Sequence, residues 1–384
     1  MRISVFLVFF LSFIQLVFAQ WNDWANAAGV RSKLLKAQNE GKIYFSQFHL
    51  YNGRGENGNY TSKYQEKTGE ILYIYGLDFY YASGTYFDST YKANNKKNIV
   101  DIVKKQWMEN RAIPSFSWHL ENPYVTSAFN DYMGCRFRMH KQVPDYPAEH
   151  QYVVQEILEG TGSVCGFGRF SGKDSFLNVF PNPASWFDAM TRDVASIINE
   201  FVDEDGAPIP MIFRLWHEME DDWMWWGKSS VTPKEYKRFF ILTERKINKY
   251  APKAEILWGY GPDSYLDDEN DFMARYPGDE YVDIIGYDDY QLANPQKFKR
   301  ELRMARMVSN IAQKRNKVAA IFETANREDE TADTFFGSIL KPLLNDYKVK
   351  FGLVQIWSSG KFNGERQYRD RQNFLKENYV LKIR

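Results

Sequence analysis

Eight short apolar runs of β type punctuate the 384-residue chain, and nearly every one ends in a polar or aromatic residue. The runs are Lys42–Leu50, Glu70–Tyr81, Ala112–Leu120, Pro210–Glu218, Glu255–Gly261, Val282–Tyr290, Val318–Thr324 and Phe351–Trp357. Amphipathic stretches lie between them, at Asn94–Glu109, Trp186–Val202, Pro233–Tyr250, Pro295–Lys314 and Ala332–Asp346. Apolar runs alternating with helical patterns argue for parallel strands, because a parallel partner is reached only by a long crossover. Eight such units predict an α/β fold, a (β/α)8 TIM barrel. The crossover after the third run stands apart in length. It spans Leu120 to Pro210, holds both cysteines, and predicts a long ordered loop that walls the barrel mouth.

The N-terminus has a separate purpose. Arg2 precedes the almost wholly apolar stretch Ile3–Phe18, and Val17-Phe18-Ala19 supplies small residues before a cleavage site. This is the pattern of a signal peptide over residues 1–19, too short for a comfortable membrane span. Residues 20–384 are then expected to form one catalytic barrel, a monomer exported to the periplasm or secreted. Lys plus Arg and Asp plus Glu both count 49. A balanced chain has no global field to draw nucleic acid, so none is expected as a partner, and no later stretch is apolar enough to span a bilayer. Cys135 and Cys165 are the two cysteines; in an exported protein they are expected to pair, and alone they cannot supply a zinc site. Aromatic residues make up 17% of the chain while mean hydropathy is -0.53. Many aromatics are therefore expected to be partly exposed, as platforms for sugar rings, although aromatic-rich packing is the plainer alternative.

In a barrel of this kind chemistry belongs at the C-terminal ends of the strands. The strand-end residues here are His49, Asp78, Trp118 with His119, His217 with Glu218, Asp288 to Tyr290, Glu323 and Trp357. Asp78 and Thr324 also suit a role in capping the next helix. Glu218 closes the fourth run and Glu323 the seventh. Those strands face each other across a closed eight-stranded mouth, so the carboxylates can converge, the minimum equipment for hydrolysing a glycosidic bond. Glu218 sits in "RLWHEMEDDWMWWG", Arg214–Gly227, beside Trp216, His217, Trp223, Trp225 and Trp226. An apolar surround of that kind favours the protonated carboxyl. Arg214 and Tyr290 are candidate donors to Glu323 and favour its anion. Glu218 then reads as acid/base and Glu323 as nucleophile, while ion pairing at strand ends accounts for the same spacing equally well. Other chemistries fit less well. Tyr51–Tyr60 is glycine-rich without the end of a phosphate loop, "WHEMED" lacks the second histidine of a metalloprotease helix, and no GxSxG elbow occurs. Five histidines make no convincing metal cluster, so neither metal nor cofactor is expected.

These residues resemble glycoside hydrolase family 26, a β-mannanase family of retaining (β/α)8 glycosidases, over most of the chain after the leader. "RLWHEMEDDWMWWG" resembles the family's acid/base segment, which implies Glu218 as acid/base, His217 before it and Trp223 on the leaving-group side. "IGYDDYQ" resembles the sixth-strand segment and implies Asp288 and Tyr290. "FET" implies Glu323 as nucleophile, "SWH" implies His119, and "QIW" implies Trp357 as a platform. "LYIYGLDF" is similar to the family's second strand. Tyr290 would hydrogen-bond the nucleophile, with His119, His217, Trp357 and Arg214 lining the cleft. Leu215-Trp216 stands where the family usually has proline, and Glu220 where asparagine or glycine is common; both bear on loop geometry and subsite preference. The resemblance implies a retaining endo-β-1,4-mannanase whose partner is β-mannan, glucomannan, galactomannan or a manno-oligosaccharide. β-1,3-Xylanase or mixed-linkage β-glucanase activity, or sugar binding without catalysis, are the alternatives on the same scaffold.

Overall fold

The computed structural model describes residues 24–48, 69–83, 89–124, 152–165, 180–221, 223–292, 294, 296–325, 333–357 and 365–382. Residues 1–19, expected to be a signal peptide, and His49, the glycine-rich stretch 51–60 and Cys135 lie outside the described residues.

Each of the eight expected runs contains a strand: β1 Ile43–Gln47, β2 Ile74–Asp78, β3 Ile113–Ser117, β4 Met211–Arg214, β5 Ile256–Tyr260, β6 Ile284–Asp289, β7 Val318–Thr324 and β8 Leu353–Ile356. All pair in parallel, in the order β2-β3-β4-β5-β6-β7-β8-β1. A parallel bridge between Phe48, just past β1, and Gly76 on β2 joins the two ends of the sheet. The curled parallel sheet of a TIM-type α/β fold results. Glycine is needed at that seam, since a Cβ on Gly76 would stand 2.2 Å from Gln355 Nε2 and 2.6 Å from the Phe48 ring. A ninth strand, β9 Val380–Leu381, pairs with Ile43 and Tyr44 at the other end of β1.

The helices are α1 Ala27–Asn39, α2 Ser89–Asn110, α3 Val153–Glu159, α4 Pro183–Ile198, α5 Pro233–Tyr250, α6 Glu269–Met273, α7 Phe298–Lys314, α8 Lys341–Leu344 and α9 Glu365–Phe374. Helix α7 buries Glu301, Met304, Ala305, Val308, Ile311 and Ala312, an i, i+3, i+4 stripe against the sheet. The stretch expected as a helix over Ala332–Asp346 is instead a π-helical turn, Phe336–Leu340, running into α8. The long crossover after β3 carries more helix than its sequence suggests. Helix α3 lies between the two cysteine positions, closed by Gly160 in the left-handed conformation (φ 70°). Cys165 is buried, and its backbone exchanges hydrogen bonds of 3.0 and 2.9 Å with Phe180. No helix among the described residues is long and apolar enough to cross a membrane.

Among the described residues the aromatics divide: Tyr73, Trp223, Tyr281, Phe298 and Trp357 are partly exposed and Tyr265 is exposed, whereas a second group is packed inside. Trp118, Trp186, Trp216, Trp225 and Trp226 are all fully buried. They form one aromatic cluster with Phe187 and Phe239, with Trp216 stacked on Phe239 at 4.4 Å and Trp225 edge-on to Trp226 at 5.1 Å. Burial of a tryptophan also calls for an acceptor at its indole N–H: Trp118 bonds Ser83 Oγ at 2.9 Å and Trp216 bonds Thr243 Oγ1 at 3.0 Å, while Trp186 Nε1 has no partner among the described residues.

Candidate active site

Strand β4 ends at Arg214, and the next four residues turn sharply. Trp216 and Glu218 both adopt positive φ, 47° and 53°, a conformation that costs a non-glycine residue about 1–3 kcal/mol. The surroundings hold it in place. Tyr236 on α5 donates to the Trp216 carbonyl at 2.9 Å, Trp226 Nε1 donates to the His217 carbonyl at 2.8 Å, and Glu218 N–H donates to Gly261 O at 3.1 Å. The bulky Trp216 drops into the aromatic cluster, while His217 and Glu218 face the cleft. The tryptophans after Glu218 therefore divide. Trp225 and Trp226 do not meet a ligand; they brace the loop. Trp223 lines the cleft.

Glu323 comes from β7. Its register against β6 slips by one residue between Tyr287 and Asp288, so that Asp288 pairs with Glu323 and Phe322 is left over. A β-bulge of this kind re-aims side chains beside a site. Phe322 fills space left by missing side chains: a Cβ on Gly286 would meet its ring at 2.5 Å and one on Gly259 at 2.8 Å. The Arg214 guanidinium lies over that ring, 5.3 Å from its centroid. From there Arg214 donates to Asp288, to Glu323 and, at 2.9 Å, to Ser117 Oγ. Tyr290 O–H donates to the other Glu323 oxygen at 2.6 Å. Both expected donors to Glu323 are thus in place.

One oxygen each of Glu218, Asp288 and Glu323 lie within 4.8 Å of one another. Three such oxygens could hold a cation, yet the permanently charged Arg214 guanidinium already serves two of them. Glu218 is treated differently from Glu323. Burial, then the negative charges of Asp288 and Glu323, push its carboxyl well above the usual range, and its Oε2 finds no protein partner among the described residues. The two carboxyls sit at opposed strand ends in contrasting surroundings, one without a cation of its own and one gripped by a guanidinium and a phenol.

The cleft, about 420 Å³, is also lined by His119, His217, Asp221, Asp263, Tyr265, Gln291 and Trp357. His119, His217, Glu218, Trp223, Tyr290, Glu323 and Trp357, all expected site residues, line it directly; Arg214 and Asp288 lie beneath, wholly buried. His217 is pushed well below the ordinary imidazole range by burial and then by the nearby charge of Arg214. Its Nε2 lies 3.2 Å from His119 Nε2. His119 Nδ1 in turn lies 2.6 Å from Asp78 Oδ2. A neutral pair satisfies this chain when His119 Nδ1–H donates to Asp78 and His217 Nε2–H donates to His119. Sequence reasoning missed Asp221, Asp263, Tyr265 and Gln291, which no motif singles out, and it missed the role of Asp78. Asp78 does cap the turn, accepting from Tyr80 N at 2.8 Å, but its second oxygen orients His119. The signal was its strand-end position, which a capping role fully explained. Thr324 is structural: its hydroxyl donates to Asp289 O at 2.7 Å.

A parallel α/β barrel with two strand-end glutamates opposed across its mouth, one pushed toward its protonated form and one held by a guanidinium and a phenol, carries the carboxyl pair that glycosidic hydrolysis requires. The chain belongs to glycosyl hydrolase family 26, whose sequence profile matches residues 179–380. It is 26% identical over 347 residues to a mannan endo-1,4-beta-mannosidase of Bifidobacterium adolescentis, covering 85% of this chain and 30% of the relative. A mannan endo-1,4-beta-mannosidase of Bacillus subtilis is 27% identical over 241 residues, 60% of this chain and 53% of the relative. The chain thus spans about half or less of the length of these curated relatives. In structure it is similar to GH26C from Muricauda sp., with TM-score 0.75 and 21% identity over 94% of both chains. A GH26 beta-mannanase from Bacteroides ovatus gives TM-score 0.70 and 20% identity over 92% of this chain and 94% of that one. These structural likenesses are likenesses of fold.

Proposed function

We propose that the protein is an exported, retaining endo-β-1,4-mannanase that cleaves mannan, glucomannan or galactomannan by double displacement. The observation that carries this reading is the pairing of Glu218 and Glu323, with oxygens within 4.8 Å of one another. A covalent route needs carboxyl groups about 5–5.5 Å apart, and inversion needs roughly 6.5–9.5 Å to admit a water between them. The mannan endo-1,4-beta-mannosidases among its relatives support the choice of substrate.

In the first step a Glu323 oxygen bonds to the anomeric carbon as the glycosidic C–O bond breaks, and the departing oxygen takes the Glu218 proton. The Tyr290 hydroxyl and Arg214 fix Glu323 and leave its charge available for attack. In the second step Glu218, now the anion, takes a proton from water while that water's oxygen displaces Glu323, which returns with its bonding pair as the carboxylate. Net configuration is retained and both glutamates recover their starting forms. The signal peptide over residues 1–19, a single catalytic barrel over 20–384, a monomeric state and a Cys135–Cys165 disulfide belong to the same proposal. Two free thiols found by mass spectrometry of exported protein would remove the disulfide.

The deciding experiment compares two variants on an aryl β-mannoside with a low-pKa phenol. Glu323→Ala is expected to lose nearly all turnover. Glu218→Ala is expected to release a burst of phenol and then stall, because deglycosylation lacks its base. Azide needs no base and should restore the steady state of Glu218→Ala, giving a β-mannosyl azide. If azide instead rescues Glu218→Ala through an inverted α-azide, the role assignments are wrong. Product analysis on unbranched mannan, β-1,3-xylan and lichenan settles the linkage.

A further inference from the structure

We infer that Tyr265 is an outer sugar platform, stacking a sugar unit in the leaving-group half of the polysaccharide beyond the unit that meets Trp223. The inference rests on the glycosidase reading above and gives work to a residue that reading does not use.

Tyr265 is 52% exposed, and among the described residues it is the one exposed large apolar side chain that lines the cleft. Trp223 and Trp357, the other cleft aromatics of platform type, are half-buried. Surface tyrosines are usually mobile, but this ring is held. Gln291 Nε2 donates to its hydroxyl at 2.6 Å, and the Arg300 guanidinium lies over the ring, 5.9 Å from its centroid. Arg300 is itself anchored, donating to Ser264 O at 2.6 Å and to Glu301 at 2.7 Å. An aromatic ring that is exposed yet already ordered loses little entropy on binding, which is what stacking recognition requires. The C–H face of a pyranose supplies the apolar partner.

The topology places this ring. Asp221 and Trp223 follow β4, Asp263 and Tyr265 follow β5, and Gln291 follows β6. These three loops form the arc on one side of the line from Glu218 to Glu323, and His119 after β3 and Trp357 after β8 form the other. A polysaccharide lying between the glutamates has one half on each arc. Trp223 follows Glu218 on the same loop, and in the reading above Glu218 protonates the departing oxygen, so this arc faces the leaving-group half that Tyr265 meets. The carboxylates of Asp221 and Asp263 stand in the same arc as acceptors for sugar hydroxyls.

The test measures kcat/KM of wild type, Tyr265→Ala, Tyr265→Phe and Gln291→Ala on mannohexaose and on an aryl β-mannobioside, which places no sugar on the leaving-group side. Tyr265→Ala should lose at least about tenfold more on mannohexaose than on the aryl substrate, about 1.4 kcal/mol of binding. Tyr265→Phe and Gln291→Ala, which keep the ring but release its hydroxyl, should show smaller losses of the same selectivity. Equal loss on both substrates overturns the proposal, as does a greater loss on the aryl substrate. Retention in gels containing mannan, β-1,3-xylan or lichenan separates the two readings. If Glu323→Ala is retarded by a polysaccharide that wild type does not cleave, the catalytic reading fails. The platform then stands only if adding Tyr265→Ala weakens that retention. Retention by none of the three overturns both.

Discussion

Asp78 shows how much of a site can hang on one residue that looks like a cap. One oxygen accepts backbone N–H groups from Tyr80 at 2.8 Å and His119 at 3.2 Å, and the other takes the His119 ring. His119 then meets His217, the residue before Glu218, the proposed acid/base, so a tautomer set at β2 is felt two strands away. Asp78→Asn removes a charge-assisted hydrogen bond and offers an amide N–H that favours the opposite His119 tautomer. A bond of that class contributes about 1.5–3 kcal/mol, so kcat/KM is expected to fall roughly 10- to 100-fold. Imidazole ¹⁵N shifts should report the changed tautomer in a variant that still folds; wild-type shifts with wild-type activity would show that Asp78 is only a cap. The residue was visible in the sequence but its role was not, because the partner lies 41 positions on. Glu218, Glu323, Arg214 and Tyr290 were legible for the opposite reason: strand-end position alone brings them together in a closed barrel. The burial of Trp225 and Trp226 was not legible, since it depends on the positive-φ turn that sends Trp216 inward.

At the scale of elements, legibility followed local signals. The start of helix α5 was fixed because Thr232 and Glu235 form a capping box and Pro233 occupies the first turn. Helix α4 also starts at a cap, Asn182 with Pro183, where its apolar stripe alone suggested a start at Trp186. The strands were readable because both faces of a parallel sheet are covered, leaving continuous apolar runs. What escaped lacked such signals. Strand β9 makes a two-residue pairing whose partner lies over 330 positions away, and α3 is a single short helix inside a loop. Helix α5 matters to the site because it carries Tyr236 and Thr243, the two residues that pin Trp216. Thr232→Ala removes the cap of α5 and should lower stability by about 0.5–2 kcal/mol. A shifted denaturant midpoint at unchanged m-value checks this. No shift would mean that tertiary packing alone sets the first turn of α5.

The whole molecule is neutral on its formal charges, yet it buries carboxyls in unusual number around the barrel mouth: Glu218, Glu220, Asp288, Asp289, Glu301 and Glu323. This couples global stability to pH. Glu220 isolates the effect, because it is outside the proposed catalytic machinery. Its Oε1 accepts the Asp263 backbone N–H, and its Oε2 has no partner among the described residues. Burial first, then the charge of Asp263, pushes its carboxyl well above the ordinary value of 4.5, and the charge of Asp221 adds to this, against the backbone N–H groups of Glu220 and Asp263, which favour the anion. A carboxyl raised in this way binds its proton more tightly folded than unfolded. Its contribution is complete below the ordinary carboxyl pKa and is lost as pH rises through the folded value, at about 1.36 kcal/mol for each unit of difference. Glu220→Gln keeps the accepting oxygen and removes the ionisation. The variant and the wild type should therefore melt alike near pH 4, and the variant should melt higher as pH rises through neutrality, by roughly 1 °C for each kcal/mol recovered. Calorimetry from pH 4 to 9 reads the gap directly. A gap that stays constant with pH would mean that Glu220 does not change its charge on unfolding, and a gap that narrows would reverse the sign of its shift.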